Sequence, residues 1–111
     1  IINPDISAIG EIIRMLKVAT IAADEGILVS PHCWNSMTIS ASAMMHVCRI
    51  IHNSEKAEIF PQYFSFGDNF TIPSFKIRYS EAELQNRSGL GIIMYETELK
   101  RFSQDYRVTL L

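Results

Sequence analysis

Asp5, His32 and Glu58 stand 27 and 26 residues apart, and each sits at or near a short apolar run. An imidazole beside a carboxylate is a tuned base. The carboxylate holds one ring nitrogen and favours the imidazolium, so the other nitrogen can take or return a proton. In a parallel α/β frame, side chains at matching ends of neighbouring strands touch, because such strands lie ~4.8 Å apart. Asp5 and His32 are one such repeat apart, and Glu58, a repeat further on, could face the same mouth. Each residue also has a plainer reading. Asp5 follows Asn3-Pro4 as a turn or helix-starting residue would, a histidine before a helix is often structural, and Glu58 could be a surface carboxylate. The shared interval is what favours a common site.

The stretch Ile27-Leu28-Val29-Ser30-Pro31-His32-Cys33-Trp34 brings an imidazole, a thiol and an indole to the tip of a buried strand. Trp34 either flanks a ligand or packs at the start of the next helix. His46, Cys48 and His52 do not make a zinc motif. His46 and Cys48 face different sides of a helix, and Cys48 and His52 lack a second ligand pair. Gly89-Leu90-Gly91 is a turn and not a dinucleotide-binding loop.

The elements that must position these groups follow from the apolar spacing. Ile1 to Asp5 reads as a strand end. Ile9, Ile12, Ile13, Leu16, Ala19 and Ala23 mark an amphipathic helix with Ser7 as its N-cap, and Gly26 suits the left-handed position after it. Ile27 to Ser30 is a strand apolar on both faces, as covered parallel strands are. A second helix is expected from Ser36 to Ile51, a break at His52-Asn53-Ser54, and a third strand from Ala57 to Phe60. Strand, helix, strand, helix, strand at a period near 30 residues is the rhythm of βαβ units. Beyond Phe60 the pattern changes. Aromatic residues crowd a stretch broken by Pro61, Gly67 and Pro73, and strands are expected at Phe75–Tyr79, Ile92–Tyr95 and Tyr106–Leu110, with a short helix at Glu96–Phe102. Residues 1–65 thus read as α/β, and residues 66–111 as a tail that packs on another domain.

A chain of 111 residues with 48% hydrophobic and 20% charged residues has room for one core and little disorder. The formal net charge of −2 and the absence of a Lys/Arg cluster give no footprint for nucleic acid. No apolar run is long enough for a membrane span and no signal peptide is visible. Two cysteines are too few for a disulfide scaffold, so reduced thiols and a cytoplasmic location are expected. A start at Ile1 suggests a piece of a longer protein.

Residues 3–36, NPDISAIGEIIRMLKVATIAADEGILVSPHCWNS, resemble the late barrel segment of the enolase superfamily. The likeness is to the mandelate racemase and muconate lactonizing enzyme-like group, in its acid-sugar dehydratase branch. The matching motifs are Pro4-Asp5, Gly10-Glu11 (where the family has Gly-Gly), Gly26 and Ser30-Pro31-His32. Residues 87–102, RSGLGIIMYETELKRF, resemble the family's closing Pro-Gly-Leu-Gly segment and acidic helix. This resemblance implies an α/β fold: the last strands and helices of a modified (β/α) barrel, strands six to eight, with a tail returning to an α+β capping domain. Such a piece is incomplete on its own, since a barrel needs ~250 residues. His32 would be the general base, Asp5 its partner, and Glu58 and Trp34 substrate-binding residues. The chemistry implied is removal of the proton alpha to a carboxylate of an acid sugar or hydroxy acid, by a dehydratase or racemase. Mg²⁺ is the implied cofactor, with ligands from parts of the protein not in this chain. A small carboxylate substrate and a homo-oligomer are expected. The rival reading is a non-catalytic α/β segment that associates with itself or a partner through its aromatic half.

Overall fold

The computed structural model describes residues 1–34, 37–60, 64–67, 69–72 and 75–103. Among them no helix is long and apolar enough to cross a membrane. Three short extended segments run side by side and parallel, joined by the pairs Ile2 with Val29, Asp5 with His32, and Val29 with Ser54. Two helical connections carry the chain between them, which is the βαβ arrangement that the apolar rhythm predicts.

The first connection is two helices where one was expected. α1 (Ile6–Ile9) and α2 (Ile12–Asp24) are separated by Gly10, whose left-handed φ of 87° turns the chain. The N-cap also differs from expectation. Asp5, not Ser7, caps α1 by accepting the N–H of Ala8, and Glu11 precedes α2. A carboxylate one residue before the first turn reaches the exposed amides, while Ser7 already lies inside it. Gly26 takes the left-handed conformation expected of it, with φ 65°. α3 (Thr38–Ile50) is the second connection, slightly shorter than the Ser36–Ile51 pattern, and Ser36 lies outside the described residues. α4 (Phe64–Gly67) follows.

Pairing of the third parallel segment begins earlier than Ala57. Val29 donates to the carbonyl of Asn53 and accepts from Glu55, so the expected break after α3 is itself the strand entry. Asn53 secures that entry, since its side-chain amide donates to the carbonyls of Ala19 in α2 and Ile27 in the central segment, at 3.0 and 2.9 Å.

The distal half forms two antiparallel pairs. β1 (Thr71–Ile72) pairs with β4 (Ile93–Met94), and β2 (Phe75–Arg78) pairs with β3 (Glu81–Leu84). The β2–β3 turn places Tyr79 and Ser80 at φ 50° and 65°, the conformation that the right-handed twist of a tight hairpin favours. α5 (Glu96–Phe102) occupies its expected residues, with Glu96 and Glu98 in its first turn and Lys100 and Arg101 in its last, both favourable to the helix dipole. The strand expected at Tyr106–Leu110 lies outside the described residues.

The core lies between α1, α2 and α3. Ile6, Met15, Cys33, Ala41, Met44, Met45 and Val47 form one buried cluster, which Phe75 of the hairpin joins. Ala19, Ala22 and Val29 form a second beneath the parallel segments. Small alanines at 19, 22 and 41 let the helix backbones approach closely, and the methionines fill the irregular space left over.

Met44 is fully buried at the centre of the larger cluster. Met44→Ala is expected to lower unfolding free energy by about 2–5 kcal/mol. Ile13→Ala, at a side chain 60% exposed on α2, should stay within about 0.5 kcal/mol. Urea unfolding of both variants measures the contrast.

Candidate active site

Two proline-containing tips carry the candidate pair. Backbone bonds run from His32 N–H to the carbonyl of Pro4 and from Ile6 N–H to that of His32, so the tips stay in register. Pro4 cannot donate to the neighbouring carbonyl of Ser30. The side chain of Asn3 donates there instead, at 2.6 Å. That substitution keeps the ladder intact up to Asp5 and His32.

The pair itself is tight. Nδ1 of His32 lies 2.8 Å from Oδ2 of Asp5, and the histidine is only 7% exposed. Asp5 Oδ2 also accepts the backbone N–H of Trp34, while Oδ1 accepts that of Ala8 at 2.8 Å. The Trp34 N–H approaches His32 Nδ1 as well, at 3.1 Å, but the carboxylate is the nearer and stronger acceptor. With Asp5 requiring a donor at Nδ1, the arrangement fixes the Nδ1–H tautomer and leaves Nε2 for proton transfer.

Burial acts to raise the pKa of Asp5, but the amides of Ala8 and Trp34, then the imidazole of His32 and the amide of Ser7, outweigh it and hold the carboxyl below its ordinary value. A carboxylate that accepts several N–H groups stays ionised, as a partner for a proton-carrying imidazole must.

Nε2 of His32 faces Glu58, whose Oε2 is 3.7 Å away on a side chain 50% exposed. Ser54 is the residue level with Val29, and Glu55, which donates to the Val29 carbonyl, lies next to it, short of the His32 tip. The carboxylate opposite His32 is therefore Glu58. Trp34 lies beside the imidazole, ring centroids 5.8 Å apart, and is 65% exposed. All four candidate residues thus meet at one end of the parallel segments.

Phe60 was not singled out by the sequence, yet its ring meets that of His32 edge to face at 5.6 Å. Its spacing of two from Glu58, the strand period, was the available signal. Cys33 is buried behind the site, and its thiol is pushed up to about 11 by desolvation, with the charges of Asp5, Cys48 and Glu58 adding to it. Cys48 is also raised to about 11 by burial. Neither is a ready nucleophile. His46 instead pairs with the carbonyl of Leu90 at 3.2 Å, tying α3 to the Gly89–Gly91 turn.

Among the described residues no group of three or more His, Cys, Asp or Glu side chains converges as a metal site. The Asp5 oxygens are committed to N–H donors, and the group nearest the Glu58 carboxylate among the described residues is the His32 imidazole, a poor ligand for Mg²⁺. These residues do not fit a Mg²⁺ centre.

The described residues thus form a parallel βα frame with an aspartate–histidine pair at matching segment ends. The chain matches the family described as Enolase C-terminal domain-like over residues 1–98, and it belongs to that family. Among solved structures it is similar to an enolase from the environmental genome shotgun sequencing of the Sargasso Sea, with 48% identity and a TM-score of 0.85. That alignment covers 91% of this chain and 27% of the other, so the chain corresponds to a minor part of that protein's length. The comparison with curated proteins returned no match.

The depressed pKa of Asp5 gives a signed pH dependence. Its contribution to stability is in place above the ordinary carboxyl value of 3.8 and is lost as pH falls through the lower folded value. Asp5→Ala should cost about 0.5–2 kcal/mol at neutral pH from the lost cap alone. Asp5→Asn should flatten the acid side of the stability profile, as followed by circular dichroism in a pH series. For the thiols, iodoacetamide labelling at pH 8 should be at least ~10-fold slower in the folded protein than in denaturant.

Proposed function

We propose that this chain is the C-terminal part of a Mg²⁺-dependent enzyme that removes the proton alpha to a carboxylate of an acid sugar or hydroxy acid. Residues 1–65 belong to its barrel, and residues 66–111 lead towards its capping domain. The observation that carries the reading is the 2.8 Å bond between Asp5 and His32 Nδ1, with Nε2 turned towards Glu58. Family membership and the 48% identical enolase support it.

In this reading Nε2 of His32 takes the alpha proton, and the C–H electron pair passes into the substrate's enolate. Asp5 stabilises the imidazolium that results and keeps the ring from turning. Glu58 meets the substrate carboxylate edge across one shared proton, and Trp34 lines its approach. Protonation of the opposite face, by an acid from another part of the complete protein, would complete a racemisation. Donating it to a leaving hydroxyl would complete a dehydration. Mg²⁺ enters this proposal only as an ion held by other parts of the complete protein.

In the complete protein, His32→Asn is expected to slow exchange of the alpha proton with deuterium oxide at least ~100-fold. Mg²⁺ affinity should be retained. Proton NMR of an acid-sugar panel reads the exchange, and a wild-type rate in the variant would remove His32 as the base.

A further inference from the structure

The parallel ladder between the central and third segments is not regular, and its irregularity aims Glu58. Val29 donates to the carbonyl of Asn53 and accepts from Glu55, so the next bond in a regular ladder would run from Ala57 to the carbonyl of Pro31. It runs instead from Glu58, at 3.1 Å. Two residues on the central segment, from 29 to 31, are therefore spanned by three on the third, from 55 to 58. This is a one-residue bulge, a device found beside active sites where a side chain must be re-aimed. Without it Ala57 would stand level with His32 and Glu58 would turn to the other face. Ala57 instead packs against the main core cluster, which is consistent with the shifted register.

The bulge coincides with Pro31, whose missing N–H leaves a carbonyl of the third segment without its regular donor. Ser30, half-buried, supplies one: its hydroxyl donates to the carbonyl of Lys56 at 2.6 Å. Lys56 lies inside the three-residue span. We infer that Ser30 is a positioning residue, whose hydroxyl holds the bulge at residues 56–57 and thereby sets the Glu58 carboxylate opposite His32 Nε2. Asn3 plays the parallel part before Pro4, but there it preserves the regular register, whereas Ser30 stabilises a displaced one. The same local grammar, a donor side chain before a proline, is used for two different ends.

The consequence for turnover rests on the function proposed above, but the positioning itself does not, so the test reads both. Amide hydrogen exchange is measured in the full-length protein for wild type, Ser30→Ala and Ser30→Thr. Ser30→Ala should speed exchange of the Glu58 amide about fivefold, the worth of one hydrogen bond. The Val29 and Glu55 amides should change by less than about twofold, because their opening is separate when the disturbance is local. Ser30→Thr, which keeps the hydroxyl, should exchange as wild type. An unchanged Glu58 amide in Ser30→Ala, equal acceleration of all three amides, or failure of threonine to rescue would each overturn the assignment. In kcat/KM, the Ser30→Ala and Glu58→Gln losses should be non-additive, the double variant falling within about twofold of Glu58→Gln alone. Full additivity would overturn the link to Glu58. If no alpha-proton substrate is found, the proposed function fails, while the amide data still decide the role of Ser30.

Discussion

Asp5 is the residue on which three separate pieces of the structure converge. One carboxylate oxygen caps α1, and the other receives both the His32 ring and the Trp34 amide. A neutral residue could cap the helix, and a longer acid could reach the imidazole. Only a short carboxylate at the end of the first segment does both without leaving an amide unmet. The ionisation that orients the imidazole is thus secured largely by backbone donors, which do not titrate. Structural anchoring and chemical poise are the same set of bonds.

That economy depends on register. Asp5 meets His32 because the first two segments hold a constant offset of 27 residues, from Ile2 with Val29 to Asp5 with His32. Prolines at both tips would ordinarily weaken the ladder there. Proline also restricts the preceding residue to extended backbone, which straightens the tips as they enter the site. The chain thereby exchanges two main-chain donors for two side-chain donors, and gains stiffness where Asp5 and His32 meet.

How much of this was visible in the sequence depended on whether the signal was local and periodic. The α2, α3 and α5 helices and the left-handed Gly26 all lie within a turn or two of chain, and each was legible, although α2 buries Met15, Ala19 and Ala22 while Ile13 and Ala23 of the expected stripe stand exposed. The 27-residue interval between Asp5 and His32 was legible because the ladder is regular. Glu58 was harder, since a bulge inserts one residue and breaks the parity that alternation relies on. The β2–β3 hairpin was half hidden for two reasons. Glu81-Ala82-Glu83-Leu84 has no strong apolar face, and Tyr79-Ser80 lacks the Asn-Gly signature of such turns. The cap moved from Ser7 to Asp5 because the break at Gly10 started a helix earlier than the apolar stripe suggested. The roles proposed for Glu58 and Trp34 towards a substrate come from chemistry that the chain does not spell out alone.

The chain has a single tryptophan, and it stands beside the candidate base. An indole ring this near an imidazole loses emission when the imidazole is charged, because the cation accepts an electron from the excited ring. Its open face, 65% exposed, also reports the polarity of whatever arrives there. The site therefore contains its own optical indicator. Intrinsic fluorescence of this chain reads charge and polarity at that one place, with no label to disturb it.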